Sequence, residues 1–383
     1  MSTDFTLHVH DSIADIGRDA WDACAAATGD PFVSYDFLHA CEASGSAAPR
    51  QGWAPRHLSL RDAKGQVLGV MPLYLKGNSQ GEYVFDHSWA DAYERAGGRY
   101  YPKLLGAVPF TPATGPRFLN HPNGDPATVR EALTEGALTL VDRLGVSSLH
   151  VNFPTRPEWD AMGEAGLLRR QDIQYVWRND GYDTFDDFLN ALSSGRRKTI
   201  RRERREARAG LDIRVLTGAE IEEVHWDAFF AFYMDTGSRK WGRPYLTRDF
   251  FSRVGATMAD RIALVMAFRD GRPTAGALNF IGRDALYGRQ WGALEEVPFL
   301  HFELCYYQAI DFAISRGLSR VEAGAQGEHK IARGYLPTAV YSAHHIADPA
   351  LREPVARYLD GERPAVEAEI AAMTADLSPF RKD

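Results

Sequence analysis

The chain has 383 residues, of which 45% are hydrophobic and 25% are charged, with a net charge of −7. These values are close to the globular average, so they exclude a disordered chain, and the length favours two domains. No window approaches the roughly 18 uncharged apolar residues of a membrane span, and the start "MSTDFTLHVHDSIADIG" lacks the basic and apolar regions of a secretory signal. We therefore expect a cytoplasmic protein. Three widely spaced cysteines, with no C-x-x-C pair, indicate neither a disulfide framework nor a thiolate zinc site.

The first half alternates between extended and helical patterns. "FTLHVH" predicts a strand, "SIADIGRDAWDACAAA" and "VSYDFLHACEASG" predict helices, and "PRHLSLRDAKGQVLGVMPLYLKG" predicts a hairpin. An aromatic loop follows, then a strand in "KLLGAVPF", a helix over residues 128–143, a strand in "SLHVNF", a helix in "RPEWDAMGEAG" and a strand in "LLRRQDIQYVWRN". These elements would complete one αβ domain at the end of the last strand.

The second half repeats this order. Helices are expected over residues 183–192, 220–236 and 248–259, a strand in "LDIRVLTG", and a three-stranded meander over residues 261–292. A long helix in "LHFELCYYQAIDFAISRG", a strand in "SRVEAG", a polar turn, a strand in "TAVYSAHHI" and a helical tail over residues 349–377 complete it. The repetition indicates a duplicated fold with domains at 1–178 and 179–383, the second carrying a basic helix at 195–209.

The polar turn in "GAQGEHKIARGY" concentrates functional side chains between glycines. Acyl transfer to an amine needs a base for the ammonium proton and donors for the developing oxyanion. Glu328 or His329 suits the base, and Gln326 or Lys330 suits the donor. The alternative is a solvated crossing between two strands.

The strand "YGRQWG" and the long helix after it supply candidate pocket walls. Alternation places Arg289 and Trp291 on one face, which suits an acyl or carboxylate group, or else an exposed arginine packed on aromatic rings. On the helix, Glu303 and Tyr307 lie four residues apart on a stripe separate from the apolar one, where they face either a pocket or solvent. Cys305 is expected to be a small buried residue.

Two cationic segments suggest contacts with anions. The loop "DTGSRKWGRPYLTRDFF" mixes Arg239, Trp241 and Tyr245, a combination that suits an anionic or sugar-bearing acceptor. In "SGRRKTIRRERREARAG", eight cations and two carboxylates give a local charge of +6. Its arginines form a helical stripe that suits tRNA phosphates or anionic lipids, or else a solvated or internally docked helix. The stripe comprises Arg197, Arg201, Arg204, Arg205 and Arg208.

The first half contributes "VFDHSWADAYERAGGRYYPKLL" and "PFTPATGPRF". These segments gather Asp86, His87, Trp89 and Arg117, which we expect either to line a substrate cleft or to pack as an ordered loop. No ligand spacing supports a metal site at His87, His344 or His345, and we expect none.

These segments resemble a known family. The meander, long helix, short strand and polar turn are similar to the GNAT acyltransferase architecture. The chain more specifically resembles tandem-GNAT proteins related to the Fem-type aminoacyltransferases, among them a bacterial family of predicted N-acyltransferases described as peptidoglycan biosynthesis or recognition proteins. The resemblance is carried by "PFVSYDFLHACEASG", "DHSWADAYERAGGRYYPKLLGAVPFTPATGPR", "GRRKTIRRERREA", "GRQWG", "FLHFELCYYQAI" and "GAQGEHKIARGYLP".

The resemblance implies an α/β (α+β) fold of two GNAT-like domains, each with a mixed, mostly antiparallel sheet flanked by helices. It also implies a cytoplasmic N-acyltransferase that acts on an amine-bearing small molecule or a cell-envelope precursor. Fem-type enzymes take the acyl group from aminoacyl-tRNA and ordinary GNAT enzymes take it from acyl-CoA, so either is a candidate donor. The glycine loop that cradles the CoA pyrophosphate is replaced by "QWGALEEVPFLHF", whose Glu295 and Glu296 repel phosphate.

The alternative is a non-catalytic protein that keeps this fold to bind peptidoglycan, a lipid-linked ligand or a polyanion. If the protein is a binder, substitutions in the polar turn should lower its affinity for the ligand. If it is an enzyme, the same substitutions should abolish transfer.

Overall fold

The structure is a computed structural model that describes residues 5–240, 244–325 and 327–381, with only the backbone for residues 238–240 and 325. The first half of the chain forms β1 (Thr6–His10), α1 (Arg18–Ala25), α2 (Tyr35–Ala43), β2 (Trp53–Pro55), β3 (His57–Arg61), β4 (Val67–Met71), β5 (Leu73–Lys76), α3 (His87–Arg95), β6 (Lys103–Gly106), β7 (Leu119–Asn120), α4 (Pro126–Leu144), β8 (Ser148–Asn152), α5 (Arg156–Glu164) and β9 (Leu168–Arg178).

The second half continues with α6 (Phe185–Ala191), α7 (Ser194–Ala207), β10 (Asp212–Thr217), α8 (Glu223–Lys240), α9 (Arg248–Met258), β11 (Ile262–Arg269), β12 (Arg272–Ile281), β13 (Ala285–Ala293), α10 (Leu300–Phe302), α11 (Gln308–Ser315), β14 (Arg320–Ala325), β15 (Leu336–Ile346) and α12 (Pro349–Leu377). A π-helical turn (Glu303–Tyr307) joins α10 to α11.

Capping residues explain where several helices begin and end. The side chain of Asp125 accepts a hydrogen bond from the Thr128 amide at the start of α4, and Gly145 ends that helix in the left-handed conformation with φ 59°. Thr155 and Glu158 form a reciprocal capping box at the start of α5. The expected helix over residues 128–143 is therefore extended by its caps, and the expected aromatic loop contains α3.

The chain divides into two compact units. The first comprises Met1–Asp172 and Val340–Glu367, and the second comprises Ile173–Ala339 and Ala368–Asp383. We expected two contiguous domains meeting at residue 178. The observed units differ from that division because most of β15 and the first part of α12 return to the first unit.

The first unit contains two groups of strands. One has the order β1-β3-β4-β7 and is antiparallel throughout. The other follows the order β2-β5-β6-β8-β15, with β6 and β8 parallel and the remaining neighbours antiparallel. Leucine and valine side chains of β3, β4, β6 and β8 pack against α4 to form the main core.

The second unit is built on strands in the order β10-β11-β12-β13-β14-β9. All neighbours are antiparallel except β13 and β14, which are parallel. The core packs the π-helical turn and α11 against this sheet, with α6 and α7 contributing Phe188 and Ile200. The mixed, mostly antiparallel sheet flanked by helices confirms the expected fold class.

Candidate active site

A cleft opens in the second unit where β13 and β14 diverge. Their parallel pairing covers residues 285–287 and 320–322. Just beyond it, the β12–β13 register shifts after Leu278 and leaves Arg289 as the extra residue of a bulge. Because a bulge bends and twists its strand, β13 turns away from β14 at this point. A cavity of about 570 Å³ lies there, with walls from α8, β12, β13, the π-helical turn, β14 and the polar turn.

Lys330 places a buried ammonium group at this cavity. Only 3% of the residue is exposed, and its Nζ donates to the carbonyl oxygens of Ala323 at 2.9 Å and Gly324 at 3.0 Å. The Tyr175 ring centroid lies 5.8 Å from Nζ. Burial lowers the pKa of Lys330 to about 8, because desolvation disfavours the charged form. Lys330 is therefore mostly protonated at pH 7, and it loses its positive charge as the pH rises above about 8.

His329 is a second candidate residue of the cleft and is exposed to it. Its Nε2 lies 3.0 Å from the Tyr306 hydroxyl, and the rings of His329 and Phe302 are 5.7 Å apart. Burial raises the pKa of Tyr306, so its phenol stays protonated. The Tyr335 hydroxyl donates to the Tyr306 carbonyl at 3.2 Å and braces this part of the helical segment.

Glycines set the conformation of the polar turn. Residues Glu328–Arg333 form a 3₁₀ helix that starts after Gly327, with φ 105°, and ends at Gly334, with φ 91°. A Cβ atom on Gly327 would lie 2.6 Å from the His329 ring. Only glycine therefore satisfies both the backbone angle and the position of the imidazole.

The structure brings four of the predicted site residues to one cavity. His329, Lys330, Arg289 and Trp291 all line it. Glu328 belongs to the same 3₁₀ helix and is exposed.

The predicted acceptor loop is described in part. Gln326 and Trp241 lie outside the described residues, and for Arg239 only the backbone within α8 is described. The amide of Tyr245 donates to the Tyr233 hydroxyl at 3.0 Å, and Tyr233 lines the cavity.

Glu303 and Tyr307 are buried against α7. Arg204 Nε donates to Glu303 Oε2 at 3.1 Å, and Arg208 Nε donates to Glu303 Oε1 at 2.7 Å. The Tyr307 hydroxyl donates to Glu203. Glu303 is fully buried, so it anchors the basic helix within the unit.

The other arginines of α7 have different surroundings. Arg197 donates to Asn190 at 2.8 Å and Arg201 donates to Asp186 at 3.0 Å, whereas the exposed Arg205 extends the charged surface. A groove of about 420 Å³ between α6 and α7 is lined by Arg201, Arg204, Arg205 and Arg208. Four guanidinium groups around one groove suit an anionic ligand.

The predicted substrate residues of the first unit are mostly interior. Lys103 donates to Asp86 and, at 2.8 Å, to Glu82. Burial is the largest influence on Asp86 and would raise its pKa, but the charges of Lys103 and His150 together with hydrogen bonds from Lys103 and Ser79 outweigh burial and lower that pKa. The Tyr100 hydroxyl donates to the same carboxylate at 2.6 Å. Asp86 is thus part of a buried ionic network.

The three remaining candidates of this unit are separate from that ion pair. Arg117 is 1% exposed, and its side chain donates to the carbonyls of Asn152 and Ala113 at 2.9 Å each. Trp89 packs on His344 with ring centroids 5.0 Å apart, while His87 is exposed at the start of α3.

A second cavity of about 740 Å³ adjoins the cleft and shares Thr236, Trp291 and His301 with it. It lies where the chain passes from β13 to α10, and Glu295 and Glu296 stand in its wall. Arg269 pairs with Glu295 at 3.0 Å, so one carboxylate of the two is partly neutralised. The negative wall opposes a phosphate in this position.

Two residues of the cleft escaped prediction from the sequence. Tyr306 lies among apolar residues of its helix, where nothing in the sequence distinguishes it from a core residue. Asn279 lines the cavity from β12, and the sequence signal was a single amide in the apolar run "AGALNFI". An amide at a buried strand position is the pattern that could have drawn attention to it.

The two units and the cleft at the diverging strands define a tandem GNAT-like protein. The chain belongs to the FemAB-like family, described as peptidoglycan biosynthesis/recognition, whose model matches residues 12–382. This confirms the family resemblance expected from the sequence. Family and fold together support a transferase role.

Three solved structures share the fold. FemX is 12% identical, with a TM-score of 0.55 over 92% of this chain and 100% of FemX. The C-terminal domain of a protein named as a lysylphosphatidylglycerol synthetase from Agrobacterium fabrum is 10% identical, with a TM-score of 0.53 over 97% of this chain and 100% of that domain. L-PGS from Bacillus licheniformis is 9% identical, with a TM-score of 0.50 over 87% of this chain and 98% of its own.

No curated protein matches the sequence significantly. Within the described ranges, no helix has the length and apolar character needed to cross a membrane. Nor do the described residues contain a group of three or more histidine, cysteine or acidic side chains arranged to hold a metal ion.

Proposed function

We propose that this protein transfers an acyl or aminoacyl group to an amine in the cleft of the second unit. The observation that carries the proposal is the buried Lys330 ammonium in the same cavity as the paired His329 and Tyr306 side chains. A base and a fixed positive charge are the two groups that acyl transfer to an amine requires.

In the proposed reaction, His329 acts as the base and Lys330 supplies the positive charge. In the tautomer with the proton on Nε2, His329 donates to the Tyr306 oxygen and its Nδ1 carries the lone pair that accepts a proton from the amine. The amine nitrogen attacks the carbonyl carbon, and negative charge develops on the carbonyl oxygen near Lys330. The bond from that carbon to the donor then breaks, and the proton returns to the leaving atom. A preorganised positive charge stabilises such an oxyanion.

We propose aminoacyl-tRNA as the donor and a peptidoglycan precursor with a side-chain amine as the acceptor. The negative wall at Glu295 and Glu296 opposes the phosphates of acyl-CoA, whereas the arginine groove on α7 suits a polynucleotide. The family description supports the peptidoglycan acceptor. The fold relative named as a lysylphosphatidylglycerol synthetase makes a hydroxyl-bearing lipid headgroup the alternative acceptor, because phosphatidylglycerol carries hydroxyl groups and no amine.

The test offers the purified protein a charged tRNA pool or acetyl-CoA, each with a muropeptide that carries a free side-chain amine. We expect a new amide from charged tRNA, detected by mass spectrometry, and loss of product in His329→Ala. Lys330→Met is expected to behave in the same way, while the exposed Lys64→Met serves as its matched control.

The donor is tested separately by binding. Arg201→Glu combined with Arg205→Glu is expected to weaken tRNA binding about tenfold or more at moderate salt, because each removed phosphate contact lowers affinity. Arg204 is left in place because it holds the buried Glu303. Arg143→Glu, on the first unit's α4, is the control. Amide formation from acetyl-CoA alone would overturn the tRNA assignment, and binding without transfer from either donor would favour the non-catalytic alternative.

A further inference from the structure

Arg333 is the last residue of the 3₁₀ helix in the polar turn, and it contacts the backbone of His329. The residue is 8% exposed, and its Nη1 donates to the His329 carbonyl oxygen at 2.7 Å. The guanidinium carbon lies 3.4 Å from the centroid of the Phe302 ring, which in turn lies 5.7 Å from the His329 ring. One guanidinium group therefore contacts both the backbone of the proposed base and the aromatic ring beside its imidazole.

The same guanidinium group pairs with Glu203 of α7. Arg333 Nη2 donates to Glu203 Oε1 at 2.9 Å and to Oε2 at 3.0 Å. The Tyr307 hydroxyl also donates to Oε2. Glu203 is only 4% exposed, and hydrogen bonds that involve charged groups are strong in such surroundings. The carboxylate therefore fixes the position of the Arg333 side chain.

The π-helical turn connects this ion pair to the ring of His329. Its consecutive tyrosines have different partners, since the Tyr306 hydroxyl lies 3.0 Å from His329 Nε2 and the Tyr307 hydroxyl donates to Glu203. Turns of this kind occur frequently at functional sites. His329 is thus contacted at its backbone by Arg333 and at its ring by Tyr306, and both contacts connect to Glu203.

Glu203 lies on the buried face of the helix that carries the arginine groove. Ile200, Glu203 and Ala207 are buried, whereas Arg201 and Arg205 are exposed and line the groove. Residues three and four positions apart share one face of a helix. One side of α7 therefore lines the groove proposed for the donor, and the other side holds the turn that carries the proposed base.

We infer that Glu203 and Arg333 are positioning residues that hold the backbone of His329 in a fixed place relative to the arginine groove. This inference rests on the proposed function and goes beyond it, because neither residue lines the cavity around His329. A displacement of about 1 Å in a reacting group is enough to lower a rate by about 10²-fold.

The experiment observes the imidazole of His329 directly. The full chain is labelled with ¹³C-histidine, and the Cε1–H signal of His329 is identified by its absence in His329→Ala. Arg333→Lys keeps a positive charge beside Glu203, but a single ammonium group does not reproduce the rigid fork of donors. We expect this variant to displace the His329 signal in the same direction as Tyr306→Phe, because both weaken the contact between imidazole and phenol.

Glu203→Gln is the second variant, since it keeps the shape of the side chain and removes its charge. It should displace the His329 signal in the same direction as Arg333→Lys. Glu206→Gln is the matched control, because Glu206 is an exposed residue of the same helix whose pair with Arg202 measures 3.8 Å. The control should leave the signal in place, and thermal melting identifies which variants are folded.

The outcomes separate the inference from the proposed function. An unchanged His329 signal in either folded variant, or an equal displacement in Glu206→Gln, overturns the positioning role whatever the melting temperatures are. If only one variant folds, that variant decides. Displacement in the folded variants with an unchanged control supports the role, and it does so even where no transfer is detected, because the signal is recorded without donor or acceptor. Where transfer is detected, both variants should lower kcat with little change in KM.

Discussion

We expect Lys330 to make the proposed transfer reaction dependent on pH. Its pKa is lowered to about 8 by burial, so the charged form predominates below this value and declines above it. If the ammonium stabilises the oxyanion, we expect kcat/KM for transfer to fall as the pH rises through about 8. The measurement is a pH–rate profile at saturating donor.

The variant Lys330→Met should lose about 10²-fold in kcat and lack the alkaline limb assigned to this residue, as is typical when one oxyanion-stabilising group is removed. Lys64→Met should keep the wild-type profile. An unchanged alkaline limb in Lys330→Met would assign it to another group.

Tyr306 positions the imidazole of His329. Tyr306→Phe removes the hydroxyl that lies 3.0 Å from Nε2 and keeps the ring that packs on His301 and Tyr335. We expect kcat to fall about tenfold with little change in KM or melting temperature, because the tautomer is no longer selected. A change in melting temperature without a change in kcat would indicate a packing role.

The sequence allowed half of this site to be predicted. The turn that holds His329 and Lys330 could be identified because its charged residues and glycines are adjacent in the sequence. Recognising it did not depend on knowing the tertiary structure. Tyr306 and Asn279 could not be recognised in the same way. Helical and strand periodicity shows that a side chain points inward, but it does not distinguish a packed interior from a cavity.

At the scale of elements, α7 is both a charged surface and a docked helix. Its stripe of arginines was predicted correctly as a helix, but the sequence could not show that Glu303, about a hundred residues later, receives Arg204 and Arg208. From the sequence alone, Glu303 is expected to face either a pocket or solvent. Which carboxylate meets which arginine depends on tertiary packing, and no local pattern records it.

Because Glu303 anchors α7, we expect Glu303 and Glu206 to contribute unequally to the stability of the protein. Glu303→Gln leaves two arginines without their buried carboxylate and should lower the free energy of unfolding by about 2 kcal/mol. Glu206→Gln breaks an exposed pair with Arg202 at 3.8 Å and should change it by less than about 0.5 kcal/mol. Urea unfolding of both variants compares them directly, and equal effects would contradict the anchoring role of Glu303.

At the scale of the whole molecule, each unit contains a buried ionic network. In the first unit Lys76 and Lys103 are direct cross-strand neighbours, and Glu82 lies 3.7 Å from Lys76 and 2.8 Å from Lys103. The Lys76 ammonium also lies 3.6 Å from the Trp53 ring. Burial nevertheless lowers the pKa of Lys76 to about 7.

This shift predicts a pH-dependent stability difference. Between pH 7 and the ordinary pKa of lysine, Lys76 is protonated in the unfolded chain but mostly neutral in the folded protein. Burying the charged ammonium therefore lowers the free energy of unfolding by its full amount below pH 7, and this loss of stability disappears as the pH rises. Lys76→Met should therefore be most favourable, relative to the wild type, at pH 6. Its advantage should decline by up to about 1.4 kcal/mol per pH unit above 7. Urea unfolding at pH 6 and 9 tests this, with Lys64→Met expected to show no such trend.

The return of residues 340–367 to the first unit has a consequence for synthesis on the ribosome. The strand β15 and the first turns of α12 complete a unit whose other residues emerge before residue 173, so the first unit is not whole until residue 367 has been synthesised. Domains usually complete in order from the N-terminus during translation. The first unit must therefore wait for most of the second, and a stop codon directly after the polar turn would leave the first unit incomplete.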